Sequence, residues 1–274
     1  MKKLSLFAAS LAGLMLAGCG GSTSSTTGSN TPAGGAPDGG TPTSAAAAKT
    51  PFPEKDATGT VTGMVTLKGT APKRKLVPIM GDKYCVDAHK DAPAKTEDEI
   101  VDGADQGIEN VFIYVKKTPS PWSFTVPTAP VQIHQMGCIY TPHVSAAMVG
   151  QTINITSEDD TKHNVHFVSP SGTNSEINKD SLKGQTITYV PQSHELGCYF
   201  KCDIHNWMHG WVCIESNPLF AVTDKDGKFT LPKLPPGEYE IGVWHETLKA
   251  SKPMYKVTVP ANGTVKLDIT LDQD

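Results

Sequence analysis

Apolar and polar residues alternate along this chain in short runs, each bounded by Gly, Pro, Asp or Asn. The runs are Thr60 to Lys68, Asn110 to Lys116, Pro130 to His134, Gln151 to Thr156, His163 to Val168 and Gln185 to Val190. Further on come Leu196 to Cys202, Gly210 to Ile214, Lys228 to Leu231, Glu238 to Trp244, Tyr255 to Val259 and Thr264 to Leu271. A two-residue period predicts β-strands, and many short strands at this spacing predict an all-β sandwich or barrel rather than βαβ units. Helical periodicity is confined to one turn near Asp82 to His89. Asp226-Gly227 and Pro235-Pro236-Gly237 read as turns between strands. Asp224 and Asp226 belong to the first of these, because the run of oxygen ligands closed by Glu that a calcium loop needs is missing.

The N-terminal pattern is different. Two lysines, an apolar stretch from Leu4 to Leu16 and then small residues form the order of a secretory signal over residues 1–18. The apolar stretch is shorter than the roughly 18 residues that span a bilayer. Leu16-Ala17-Gly18-Cys19 resembles the bacterial lipobox, which makes Cys19 the expected lipid acceptor, and Gly20 in place of Asp points to the outer membrane. Between Gly20 and Thr50 there is no Val, Ile, Leu, Met, Phe, Trp or Tyr. Such a segment has nothing to bury, so residues 19–56 are expected to be a lipidated Cys followed by a flexible tether. The formal charge of −4 over 274 residues lacks the basic face that nucleic acid requires.

Of nine His, seven lie between His134 and His209, and the chain has six Cys. Cys202-Asp-Ile-His205-Asn-Trp-Met208 is a C-x2-H-x2-M run at a strand end, and His163 opens a strand upstream. A thiolate, two imidazoles and a thioether are the donors of a blue-copper site, soft enough for Cu(I) and nitrogenous enough for Cu(II). Strand alternation places His163 with Val165 and Phe167 on the apolar side and His166 toward solvent. His209 is expected to point off the loop. A disulfide for Cys202 and plain core packing for Met208 are the competing readings.

Around these residues the chain resembles cupredoxins. Val149-Gly150-Gln151-Thr-Ile-Asn-Ile-Thr156 followed by His163-Asn164-Val165 is similar to the strand pair before that family's first His ligand, and the short Cys202–Met208 loop is similar to the amicyanin type. The ends of the chain, with Gly59 to Leu67, Asn110 to Lys116, Thr223 to Phe229 and Leu234 to Ile241, resemble the carboxypeptidase regulatory-like, transthyretin-like sandwich. The whole resembles bacterial secreted proteins of the plastocyanin-like or methylamine-utilisation kind. The resemblance implies a cupredoxin Greek-key domain over 119–216, inserted in or packed beside a discontinuous sandwich over 57–118 plus 217–274. It implies one type 1 copper per chain at His163, Cys202, His205 and Met208, with Asn164 pinning the ligand loop. It also implies His205 as the electron port and an apolar docking surface near Trp207 and Met208. The expected protein is an extracytoplasmic electron carrier, not an enzyme. It would be anchored in a lipid bilayer, facing the periplasm or cell surface, and partnered by a periplasmic cytochrome or dehydrogenase.

Other readings stay open. Cys198-x3-Cys202-x2-His205-x2-Met208 resembles a dinuclear copper motif, one residue short between the second Cys and His. Cys85, Cys138, Cys198 and Cys213 form an even set with three possible pairings. Cys198 and Cys213 flank the copper loop, though inward-facing Val212 and Ile214 put Cys213 on the opposite face; the remaining pair is Cys85 with Cys138. Cys85-x3-His89 and Cys138-x4-His143 have metal-like spacing, so a second site using His143 competes with disulfides. Trp244 and His245 could give a carbohydrate-binding surface. No Ser-His-Asp or paired-carboxylate arrangement stands out.

Overall fold

The alternating runs do form strands in a computed structural model of the chain, which describes residues 48–101 and 105–273. The signal segment, Cys19 and the tether up to residue 47 lie outside the described residues. Among the described residues, only the α-helix Lys83–Ala88 and the 3-10 turn Glu54–Asp56 interrupt the β-structure.

One sandwich pairs a five-stranded sheet with a four-stranded one. The first runs Ile177–Ser181, His163–Val168, Glu195–Lys201, His209–Glu215, Val144–Met148. The second runs Thr186–Tyr189, Ile153–Ser157, Val131–Gln135, Tyr140–Thr141. Alternate residues of both sheets, among them Ile133, Ile153, Ile155, Val165, Phe167, Phe200 and Ile214, meet in a common core. His163, Cys202 and Met208 sit in or at the edge of that core.

The other sandwich draws on both ends of the described chain. Its first sheet is Phe220–Val222, Phe112–Lys117, Gly237–Trp244, Tyr255–Val259. Its second is Lys228–Thr230, Thr60–Lys68, Ile269–Asp272, Lys249–Ala250, with Thr264–Lys266 parallel to the start of Thr60–Lys68. Val61, Val65, Ile113, Val115, Phe229, Ile241 and Leu271 fill its core. The run expected over 264–271 is thus two strands, parted where Met64 N donates to the Asp268 side chain. At the Asp224 turn, Asp224 Oδ1 accepts from the backbone of Asp226 and Lys228, and Gly227 takes φ 76°. A Cβ there would lie 2.6 Å from Val65 O, so glycine is required.

The two sandwiches meet along a second, smaller apolar layer. Ile113 and Val115 face their own core, while Phe112 and Tyr114, on the other face of the same strand, pack with Cys213 against Ala146, Leu196, Phe220, Val222 and Trp244. Trp244 also lies against Trp211, with ring centres 5.5 Å apart, and against Gly197, whose φ of 73° accompanies a bulge between Glu195 and Cys198. Trp244 is therefore packed into this seam, while His245 is buried with its Nδ1 accepting from Leu248 N. Residues 50–56, assigned to the tether from sequence, also dock. Thr50–Pro51 pairs with Trp122–Ser123, and Phe52 packs on Trp122 and Phe124, because an aromatic side chain there has apolar surface to bury.

Phe112 is fully buried in the seam. Phe112→Ala should leave a cavity there and cost about 3–5 kcal/mol of stability. A lowered denaturant midpoint checks this.

Candidate metal centre

Strand His163–Val168 and the turn after Glu195–Lys201 converge at one end of the first sandwich. His163 opens its strand, and Cys202 follows the last residue of the other. The chain then turns through His205, with Met208 N donating to His205 O and Cys202 N donating to Met208 O, before His209–Glu215 begins. This tight closure brings His163 Nδ1 to 2.9 Å from His205 Nδ1, and Cys202 Sγ to 3.9 Å from His205 Nδ1. Donor atoms of His163, Cys202 and His205 all lie within 4.8 Å of one another. His163 is 0% and His205 3% exposed, and Met208 is buried at the end of the same turn. His166 points the other way, half-exposed, with its Nδ1 2.8 Å from Asp203 Oδ2.

Electrostatics separate Cys202 from the other free thiols. Burial alone would raise its pKa, but a hydrogen bond with His163 and the backbone N–H groups of Asn164, His205 and Ile204 outweigh it and lower the thiol. Burial pushes Cys198 and Cys213 strongly up, and Glu195 adds to the effect on Cys198. Burial would lower His163, but Asp159 and Cys202 outweigh it and raise its pKa to about 9. His205 moves down, through burial and the neighbouring His163. The pocket therefore favours positive charge held between a carboxylate and a sulfur. A soft thiolate and two imidazoles in a buried cluster fit a copper ion, and the same turn ends on a buried thioether, Met208.

Asp159 was not foreseen from sequence. It is 1% exposed and accepts from His163 Nε2 at 2.9 Å, Gly137 N at 2.6 Å and Cys138 N at 2.7 Å. Burial opposes its charge, but these donors outweigh it and hold the carboxyl below its usual range. With Nε2 tied to Asp159, the Nδ1 of His163 is left facing the cluster, as a metal ligand's other nitrogen should be. The position of Asp159, four residues before His163 in a polar turn, was the available signal. Asn164 ties the ligand turn to the strand beside it: Asp203 N donates to its Oδ1 at 2.6 Å, and its Nδ2 donates to Asn178 and Asp203.

The turn is covered as well as held. Asp82 caps the helix Lys83–Ala88 by accepting from Tyr84 N and Cys85 N, and its Oδ2 lies 3.4 Å from His205 Nε2. Cys85 Sγ is 3.8 Å from the same nitrogen. A Cys85–Cys138 disulfide ties this helix to the sandwich. His205, expected as the electron port, lies under this cap; Trp207, 5.1 Å from it ring to ring, reaches a surface cavity. The exposed apolar residue of the turn is Ile204, at 48%, rather than Met208.

Several expectations need correcting. Cys198 and Cys213 are free and do not pair, because Cys198 opposes Val212 in the register while Cys213, one residue on, points to the seam. Cys198 is also outside the metal cluster, since four residues along a strand separate it from Cys202 by about 13 Å. The two cysteines of the dinuclear reading are therefore not brought together in this structure. Cys85 and Cys138 are joined to each other, so they do not act with His89 and His143 as a site; His89 Nε2 donates to Gly137 O. His143 lies beside Glu246 instead.

No family model matches the sequence, and no curated protein is significantly similar to it. Partial likenesses to solved structures exist. A copper-containing nitrite reductase from Thermus scotoductus SA-01 is 17% identical over 36% of this chain and 25% of its own, with a TM-score of 0.30. This chain thus spans about a quarter of that reductase's length. A purple cupredoxin from Nitrosopumilus maritimus is 23% identical over 31% of this chain and 99% of its own, with a TM-score of 0.27. A reduced, Cu(I) point mutant of amicyanin is 21% identical over 33% and 86%, with a TM-score of 0.29.

Asp159→Asn keeps the shape but removes the charge behind His163. It should weaken copper binding about 10–100-fold, measured by competition with a chelator.

Proposed function

We propose that this chain is a type 1 copper protein that carries single electrons, with His163, Cys202, His205 and Met208 holding the ion. What carries the reading is one fully buried cluster in which two imidazole Nδ1 atoms face each other beside a thiol of lowered pKa. Copper bound there supplies a Cu(II)/Cu(I) couple. The chain's own contribution is restraint. Asp159 fixes the His163 ring, Asn164 fixes the ligand turn through Asp203, and the disulfide-tied helix excludes water from His205. A framework held on three sides limits rearrangement when the charge changes, which favours electron transfer over ligand exchange. Trp207, its ring tilted against His205 and its Nε1 donating to Cys138 O, is the side chain that links the centre to the surface. Loading the protein with Cu(II) should give an intense blue thiolate absorption and the EPR component of a thiolate-bound copper, both abolished in Cys202→Ser. A protein that stays colourless after loading would refute the reading.

The same reading includes lipid anchoring at Cys19 after loss of residues 1–18, outer-membrane attachment, and a periplasmic cytochrome or dehydrogenase as redox partner. Its support is the sequence: a signal-like pattern ending in Leu-Ala-Gly-Cys and a polar tether. Cys19→Ala should move the protein from the membrane fraction to the soluble fraction. Membrane retention of that variant would overturn the anchoring.

A further inference from the structure

A second group of metal-type donors stands apart from the first. His143, His209 and Glu246 each place a donor atom within 4.8 Å of the others. His143 directly precedes Val144–Met148, and His209 opens His209–Glu215, both in the first sandwich. Glu246 follows Gly237–Trp244 in the other, so the group bridges the seam. Trp211 Nε1 donates to Glu246 Oε2 at 2.6 Å, and His143 Nε2 is hydrogen-bonded to Oε1, which fixes the carboxylate.

Two observations point to an occupant. His143 is 5% exposed, yet its Nδ1 has no hydrogen-bond partner; Glu97 Oε2, at 3.7 Å, is too far to serve. A buried imidazole nitrogen left unpaired is costly. Beside it opens a cavity of about 480 Å³ whose lining includes Glu97, Asp98, His143, Trp207 and His209. The His143 and His209 rings stand 5.5 Å apart at its wall.

We propose that His143, His209 and Glu246 bind a second, divalent metal ion, Zn(II) or Cu(II), with Glu97 near and an open position toward the cavity. Two imidazoles and a carboxylate form a borderline, oxygen-containing set that suits both ions, and three protein ligands leave a coordination position open. Without sulfur the set disfavours Cu(I), so this ion would not cycle as the first does. His209 follows Met208 directly, which makes the two sites neighbours along the chain.

The test uses the full chain, stripped of metal, loaded separately with excess Zn(II) and Cu(II), desalted and analysed for metal content. In the Cys202→Ser background the proposal expects one copper equivalent to remain, colourless, with an EPR signal carrying imidazole-nitrogen couplings. His209→Ala or Glu246→Gln in that background should remove it, or weaken it by about tenfold or more. In the otherwise native chain, His209→Ala should lose the second equivalent and keep the blue band. His209 is exposed, so its variant tests the idea even where Glu246→Gln fails to fold. Blue protein holding a single equivalent, unchanged by His209→Ala, overturns the second site and leaves the first intact. A colourless equivalent lost in His209→Ala supports the second site while refuting the first.

Discussion

A carboxylate removed from water stays ionised only where donors surround it, and Asp159 is placed to meet that condition. Its partners come from separate parts of the chain: His163 from the ligand strand, Gly137 and Cys138 from the disulfide loop, and Tyr84 from the capping helix. Gly137 and Cys138 both take positive φ, 63° and 58°, which aims their consecutive N–H groups at one anion. One buried charge thus sets the ring orientation of His163, the loop that carries the disulfide and the position of the cap. Without it, three segments remote in sequence would lose their common point of attachment.

The seam between the sandwiches imposes a second constraint. Phe112–Lys117 is buried on both faces over its first four residues, so its side chains must satisfy two cores at once. Strand His209–Glu215, which begins just after the ligand turn, is pressed between the first core and that seam: Val212 and Ile214 face inward, Cys213 outward. The end of the ligand turn is therefore anchored by packing that reaches the other sandwich. The two halves of the fold are mechanically joined through the element that closes the candidate centre.

Strands with strong alternation were legible from residues alone. His163–Val168, Thr60–Lys68 and Tyr255–Val259 have the bounds their patterns predict, because β-branched and aromatic residues recur at every second position. Val144–Met148 escaped notice, being rich in Ser and Ala, as did Ile177–Ser181, an edge strand whose middle residues are exposed. Their pairing depends on neighbours that no local pattern reveals. The same division holds at the site. The ligand turn announces itself, since C-x2-H-x2-M is local, and His163 follows from alternation. Asp159, Asp82 and the cap over His205 arise from contacts between distant segments, so spacing carried no sign that the imidazole edge would be covered.

The sulfur atoms show what burial on alternate faces achieves. Five cysteines lie among the described residues, two in a disulfide and three free. Any surroundings oxidising enough to form the Cys85–Cys138 bond also threaten the rest, which poses a sorting problem during folding. Cys213 is sealed in the seam, Cys198 in the core a dozen ångströms or so along the strand from Cys202, and burial keeps both as inert thiols. Cys202 alone combines lowered pKa with imidazole neighbours. Strand geometry, by turning Cys198 and Cys213 to opposite faces of the sheet, keeps these two sulfurs from each other and leaves the reactive one among its imidazoles.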